Sequence, residues 1–540
     1  MKNLRLLRSF SIVIFFLLVF CCCTDTGRGK VEDKINIDAG NFKIGWSVAD
    51  ITPSEPVIIR TLSISQGVLD PIHATVLAME SGSGPAAEKV IMISCDLLSI
   101  PDGRREVSED NLLDNVRRLV VESVPELKAE QIFLNGTHTH SAPYVSSKSI
   151  EEIVGVDWDI FSPKDYQDMI SERIARAATE AWQNRKPGGI SYGLGFAVAG
   201  HNRIQVDFSG EAQMHGKINR PGFSHLEGSV DHSVNLLYTW DDAANLTGVV
   251  VNLACTSQFT YGNLISSDFW HDVREEMVKR LDSEIYILTQ ASPAGDQSCH
   301  DIIVDRRAED RMQKMMFPDE ENERLRRRKD MALRISDAIT SVLPYMKDCI
   351  EWNPVFDHEM KIAELSKRII TMDDVKSALD SYPGVVKGST KEEYQKKYDE
   401  VLLELKKNPE LKKDPAWYSK LAGARSMVRR AENLEEHFRM QSIQPKYPVE
   451  IHAVRIGDIV FATNPFELYL EFGTRIKARS PAIQTFLVQL AGSGTYLPTS
   501  RSVKGRAYGA IPASNVVDPE GGRELVENTL SLINSLWEEK

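Results

Sequence analysis

The residues best suited to chemistry lie in one short run, Asn135-Gly136-Thr137-His138-Thr139-His140-Ser141-Ala142-Pro143. The preceding Gln131-Ile132-Phe133-Leu134 is short and apolar, which predicts a strand with His138 and His140 at or just past its end. In an extended backbone, side chains two residues apart share one side. Two imidazoles on one side suit two ligands on one ion, or one ligand beside an acid/base group. A polar surface ladder leaves the same trace, so the pattern points to a metal only in company with further donors.

Other runs offer such donors. Gln290 to His300 follows a predicted strand and brings Asp296, Ser298 and His300 to its carboxyl end, with Gly295 and small residues that let backbone approach a ligand. Ser298 is a candidate nucleophile, although Gly-Asp-Gln-Ser is not the Gly-x-Ser-x-Gly elbow, and a structural turn accounts for the same run. Glu467 follows an apolar strand and Pro465, as a ligand or as the acid of a helix first turn. Tyr496 lies in the glycine-rich Gly492 to Thr499, and Tyr508 follows twelve positions later. His232 beside Asp231 and His271 beside Asp272 are His–acid neighbours, the pairing that orients ligating imidazoles but is also common on surfaces.

The elements that must position these groups alternate. Strands are predicted at Lys43 to Pro53, Ile72 to Met79, Val90 to Leu97, Ile190 to Val198, Val234 to Trp240, Leu246 to Leu253, Glu284 to Thr289, Val449 to Val454 and Ile459 to Thr463. Helices are predicted at Asn111 to Glu122, Lys164 to Gln183, Asp268 to Leu281 and Gly522 to Trp537. That alternation defines an α/β or mixed α+β layered fold. Residues 320–440 are rich in Lys, Glu and Arg and read as solvated helices forming an insertion or cap.

The 540 residues, 42% hydrophobic and 26% charged, are those of a globular protein. A net charge of -13 without a basic block disfavours nucleic acid. At the amino terminus Lys2, Arg5 and Arg8 precede an apolar run from Phe10 to Phe20, too short to span a bilayer, and then Cys21, Cys22 and Cys23. This order predicts a bacterial lipobox with one cysteine lipidated, or else an ordinary secretory signal. Residues 1–23 would be the leader and 24–41 a linker, placing the protein in a bacterial cell envelope, periplasmic or surface-exposed, with secretion as the alternative. Beyond it only Cys95, Cys255, Cys299 and Cys349 remain, too few for a disulfide framework.

Taken together, these motifs resemble the amino-terminal catalytic domain of the neutral (non-lysosomal) ceramidase family. The resemblance rests on Ile44-Gly-Trp-Ser-Val-Ala-Asp-Ile-Thr-Pro53, Gln66-Gly-Val-Leu-Asp-Pro-Ile-His-Ala74, the His138–His140 run, Gly295-Asp-Gln-Ser298, Pro465-Phe-Glu467 and Tyr496-Leu-Pro-Thr499, in that order. It covers about 42–540, least well across 320–440. It implies a mixed-sheet layered α/β catalytic domain of neutral-ceramidase type with a charged helical insertion, without the family's carboxyl-terminal sandwich domain.

Carried over by position, the resemblance makes His138, Glu467 and Tyr496 ligands of one zinc ion. His140 becomes the general acid/base, and Arg203 and Tyr508 the donors to the oxyanion. One departure stands out. The family's second zinc histidine belongs in the loop after Leu253, which here reads Ala254-Cys255-Thr256-Ser257-Gln258. Cys255 as a thiolate, or His232, His271 or His300 from nearby segments, are the candidates to fill the gap; otherwise the site holds another metal or none. Asp296, Ser298, His271 and His300 are the candidate substrate contacts. The resulting expectation is a membrane-tethered, metal-dependent hydrolase of an amide or ester bond, acting on a lipid or an acylated glycan. Two alternatives stay open: a metal-free lipid- or glycan-binding protein on the same fold, and a hydrolase using Ser298.

Overall fold

The computed structural model describes residues 41–60, 62–103, 111–299, 304–377 and 389–538. The leader, its three cysteines, residues 24–40 of the linker and His300 lie outside them.

Two sheets pack face to face between two layers of helices. The larger has eight strands in the spatial order Tyr286–Ala291, Leu246–Leu253, Ser233–Asp241, Lys186–Phe196, Phe42–Asp50, His73–Ser81, Glu88–Cys95 and Ile132–Gly136. Its two outermost pairs are parallel and the inner ones antiparallel. The smaller has the order Phe356–Ser366, Lys446–Ile456, Ile459–Thr463 and Gln484–Val488. Alternate residues of both meet in a common core that includes Phe42, Leu77, Met92, Phe133, Leu288, Val454, Phe461 and Phe486.

The outer faces are covered by helices. Leu112–Ser123 and Pro163–Gln183 lie on one half of the large sheet, through Val116, Val120, Ile170 and Ile174. Phe269–Leu281 and Glu323–Met346 cover the other half through Val273, Met277, Ile335 and Ile339. Leu470–Arg479 and Pro519–Ser535 cover the small sheet through Phe472, Ile476, Leu525 and Ile533. Strand runs such as Val249-Val250-Val251 carry no alternation because both of their faces are buried.

The region 320–440 departs from a uniform helical cap. The helix Glu323–Met346 belongs to the core layer, and its Arg327 and Arg328 are buried in ion pairs, Arg327 with Asp310 and Arg328 with Asp70 and Asp272. Phe356–Ser366 is a strand, paired from Phe356↔Ile456 to Ser366↔Lys446. It forms a sheet edge, where charged residues on the solvated face hide the apolar alternation. The short strand Gln484–Val488 was also not foreseen. Lys391–Lys407 and Pro415–Met440 form a separate cap, with the short helix Met372–Ser377 packed on the second through Val375. Their Tyr394, Tyr398, Leu405, Tyr418 and Leu421 make a small core with Ile58, Ile153 and Trp158. Among the described residues, no helix is long and apolar enough to cross a membrane.

Candidate functional site

His138 reaches the site through a backbone turn. The strand Ile132–Gly136 ends against the chain segment after Cys95, where a Cβ on Gly136 would lie 3.0 Å from the Leu97 carbonyl. Thr137 and His138 then donate their N–H groups to the Cys95 and Leu97 carbonyls, each at 3.0 Å. His138 has φ 63°, so the backbone is left-handed there and not extended. The two imidazoles do come together, with ring centroids 5.0 Å apart, but by this turn and not by strand alternation.

The His138 ring is oriented by its Nδ1, which donates to the Leu98 carbonyl at 2.9 Å. Its Nε2 lies 3.5 Å from Glu467 Oε2. Burial holds His138 below the usual histidine range even though Glu467 opposes the shift, so the ring is neutral at pH 7 and its Nε2 carries a lone pair. Glu467 Oε2 is buried and accepts no hydrogen bond. The two atoms thus face each other without a hydrogen bond between them.

Glu467 is held by a pair of short strands, Glu467–Leu468 and Tyr496–Leu497, in which it sits directly beside Tyr496. Burial first, and then the Glu467 carboxylate, holds the Tyr496 phenol well above its usual range. Arg203 closes the group. Its Nη2 donates to the Gly295 carbonyl at 2.8 Å and to the Tyr496 hydroxyl at 3.3 Å, and lies 3.7 Å from Glu467 Oε2. Its Nε is buried without a partner. Gly295 does not open the backbone to a ligand as expected. A Cβ there would lie 2.2 Å from the Glu467 carbonyl, so the glycine admits the Glu467 strand itself.

His140 lies beside this cluster. Its Nε2 is 2.8 Å from the Gln258 side-chain amide, and its Nδ1 is buried without a partner. Burial, then the positive charge of Arg60, holds His140 well below the usual range. The loop that lacks the expected histidine therefore sends Gln258 to the site. Tyr508 packs edge-on against Tyr496, with ring centroids 5.9 Å apart, and accepts from Arg430 Nη2 at 3.3 Å.

The remaining candidates stand apart from this group. Cys255 is buried in the core beneath the helices Phe269–Leu281 and Glu323–Met346, and its Sγ lies 3.5 Å from the Ala199 carbonyl. Asp296 is a buried strut: one oxygen accepts from Leu470 N at 2.9 Å, the other from Asn202 Nδ2 at 3.0 Å. Ser298 is buried in a two-residue strand opposite His201. His271 lies in the first turn of Phe269–Leu281. His232 precedes the strand Ser233–Asp241, and its carbonyl accepts from Ala197 N at 2.9 Å. His300 is outside the described residues. No three His, Cys, Asp or Glu side chains converge among the described residues; the third donor beside His138 and Glu467 is a tyrosine.

Three site residues were not legible in the sequence: Arg60, His215 and Gln258. His215 Nε2 lies 3.3 Å from Arg203 Nη1. Arg60, His138 and His215 all have positive φ, at 49°, 63° and 60°. Left-handed backbone costs a non-glycine residue on the order of 1 kcal/mol, and its concentration here marks a site held by the surrounding fold. A cavity of about 650 Å³ adjoins the site, with Arg60, Leu98, Pro143 and Thr495 in its wall and the helix Pro415–Met440 across it.

This layered fold is that of the neutral ceramidases. The crystal structure of neutral ceramidase from Pseudomonas aeruginosa is similar, with a TM-score of 0.61 at 15% identity over 92% of this chain and 74% of that one. A ceramidase complexed with C2 is similar too, with a TM-score of 0.60 at 14% identity over 92% of this chain and 75% of that one. No protein-family model and no curated protein matches the chain.

Proposed function

We propose that this protein is a metal-dependent hydrolase that cleaves the amide or ester bond of an acylated substrate. The observation that carries this reading is the approach of His138 Nε2 to Glu467 Oε2, 3.5 Å apart, where the carboxylate oxygen accepts no hydrogen bond and has the Arg203 guanidinium 3.7 Å away. Arg203 offsets the carboxylate charge from one side, and a cation between Nε2 and Oε2 would be held by both. The Nδ1 bond to Leu98 is the outer contact by which ligating imidazoles are held. One nitrogen and two oxygens, from His138, Glu467 and Tyr496, fit zinc with a coordination position left open. Bound there, zinc would supply Lewis acidity toward water and the acyl carbonyl.

The chain's own groups do the rest. His140 is neutral at pH 7, and because the Gln258 amide donates to its Nε2 the ring carries its proton on Nδ1, which has no protein partner and is placed to give that proton to the leaving group. Arg203 keeps a permanent positive charge beside the reacting centre, with Nε unused. Tyr508 adds a hydroxyl oriented by Arg430. Fixed donors of this kind stabilise the charge that develops on an acyl oxygen. The ceramidase likeness supports an N-acyl bond of a ceramide-like lipid, with an acylated glycan as the competing substrate. The order of basic residues, apolar run and cysteines in residues 2–23 supports a lipid tether to a bacterial envelope.

A metal-free binding protein is the second reading, favoured by the arrival of Gln258 where the family resemblance implies a histidine. Elemental analysis of the purified protein and of His138→Ala separates the two. About one zinc per chain, lost in the variant together with acyl hydrolysis, is the expected result. Absence of transition metal from the wild-type protein overturns the hydrolase reading.

A further inference from the structure

The cavity beside the site is built for charge. Five cations stand in its wall: Arg60, Lys148, Arg425, Arg429 and Arg430. Among the described residues only three carboxylates share it, and each is engaged. Glu432 pairs with Arg425 at 3.2 Å, Glu436 with Arg439 on the helix surface, and Glu152 caps its own helix through Ser149 N. Among the described residues no carboxylate lies within ion-pair distance of Arg60 or Arg429. Arg429 spends one donor on the Ile153 carbonyl at 3.0 Å, and the buried Arg60 Nε has no partner. This excess of positive charge occurs in a chain whose net charge is -13. A neutral acyl chain would gain nothing from such a wall and would leave its arginines poorly solvated.

The cavity joins the reaction centre at named points. The Leu98 carbonyl holds the His138 ring, the Thr495 carbonyl accepts from Glu467 N, and the charge of Arg60 acts on both His138 and His140. Arg430 links the cavity to Tyr508.

We infer that the substrate is anionic: the part of it beyond the scissile bond carries a phosphate, sulfate or carboxylate that the Arg60, Lys148 and Arg429 cations receive. This rests on the hydrolase reading for the bond cleaved, but not for the anion bound. Arginine forks match such oxyanions, and about 650 Å³ suits a lipid headgroup or a substituted sugar.

Two matched pairs test it: short-chain ceramide against its 1-phosphate, and N-acetylglucosamine against its 6-sulfate. Equilibrium binding is measured calorimetrically in the full chain carrying His138→Ala, and kcat/KM in the wild type. At least one charged member should bind about tenfold tighter than its neutral partner, with the difference shrinking at high salt. Arg429→Met and, independently, Lys148→Met should reduce that charged-to-neutral ratio; Lys148 guards against a folding defect in the first variant. The pair that responds tells lipid from sugar. Charge preference in binding without turnover of any compound upholds the anion and overturns the hydrolase. Turnover or binding with no preference in either pair, or no binding of any compound, overturns the anion.

Discussion

His138 and Glu467 come from segments more than 300 residues apart, yet the Nε2 of one stands 3.5 Å from the Oε2 of the other. The strand Ile132–Gly136 delivers the first and the Glu467–Leu468 strand the second. Glu467 Oε2 accepts no hydrogen bond. The carboxylate is therefore the group whose charge matters most. Glu467→Gln keeps the shape but replaces charge and one acceptor by an amide. It should weaken metal binding by two orders of magnitude or more, since even outer partners of ligands are worth roughly 10–100-fold. Zinc titration against a competing chelator measures this, and wild-type affinity would remove Glu467 from the ligand set.

Gly295 gives a way to disturb the same carboxylate without touching it. A methyl group at this position would lie 2.2 Å from the Glu467 carbonyl and 2.7 Å from its carbon, both backbone atoms. The strand must move, at a cost of about 1–3 kcal/mol by analogy with overpacked cores. Gly295→Ala should lower both the melting temperature and the metal content. A variant that melts and binds zinc as the wild type does would show that this contact does not position Glu467.

Tyr508 tests the proposed donation to the acyl oxygen. Its hydroxyl accepts from Arg430, and its ring leans on Tyr496. Tyr508→Phe keeps the ring contact and removes the hydroxyl. Turnover should fall on the order of 100-fold, the scale for one such donor, while zinc content stays at the wild-type level. Undiminished kcat would take Tyr508 out of the mechanism.

Acid should destabilise the fold from a pH well above the usual carboxylate range. Burial, then the charges of His452 and Arg117, lowers His358 to about 3. Burial, then His232 and Arg334, lowers His201 to about 4. In the unfolded chain both titrate near 6.5, so below that pH unfolding takes up protons. Their contribution is full above pH 6.5 and is lost as the pH falls toward about 4 for His201 and about 3 for His358. Each adds about 1.4 kcal/mol per pH unit inside its window. Urea midpoints at pH 7.5, 6.5, 5.5 and 5 should decline below 6.5, and His358→Gln should flatten the decline. Midpoints that stay level across this range would contradict the assignment.

Much of the molecule was legible from pattern alone. The apolar runs at Val90 to Leu97, Leu246 to Leu253 and Ile459 to Thr463 are strands because their side chains have no other use than burial on two faces. The helices Leu112–Ser123 and Pro163–Gln183 follow from apolar periodicity, and the structure adds their caps, Asn111 and Ser162, whose side chains accept N–H groups of the first turn. His138, His140, Glu467 and Tyr496 were readable as candidates from their types and from the predicted elements they follow, and Arg203 only through the family resemblance.

The assembly of the site was decided elsewhere. No local rule predicts that His138 adopts a left-handed backbone, since that conformation is unfavourable in isolation and is held by the Cys95 and Leu97 carbonyls. Nor does any local rule send Gln258 to His140 while burying Cys255, three residues earlier, in the helix-side core. Phe356–Ser366 reads as a charged helix until a partner strand gives its alternation a buried side. Arg60 and the arginines of Pro415–Met440 look like solvated charge until a cap folds over the site and gathers them around one cavity. Periodicity and residue type act over a few residues and determine the elements; distances between groups hundreds of residues apart depend on how the layers pack, and only the tertiary structure decides them.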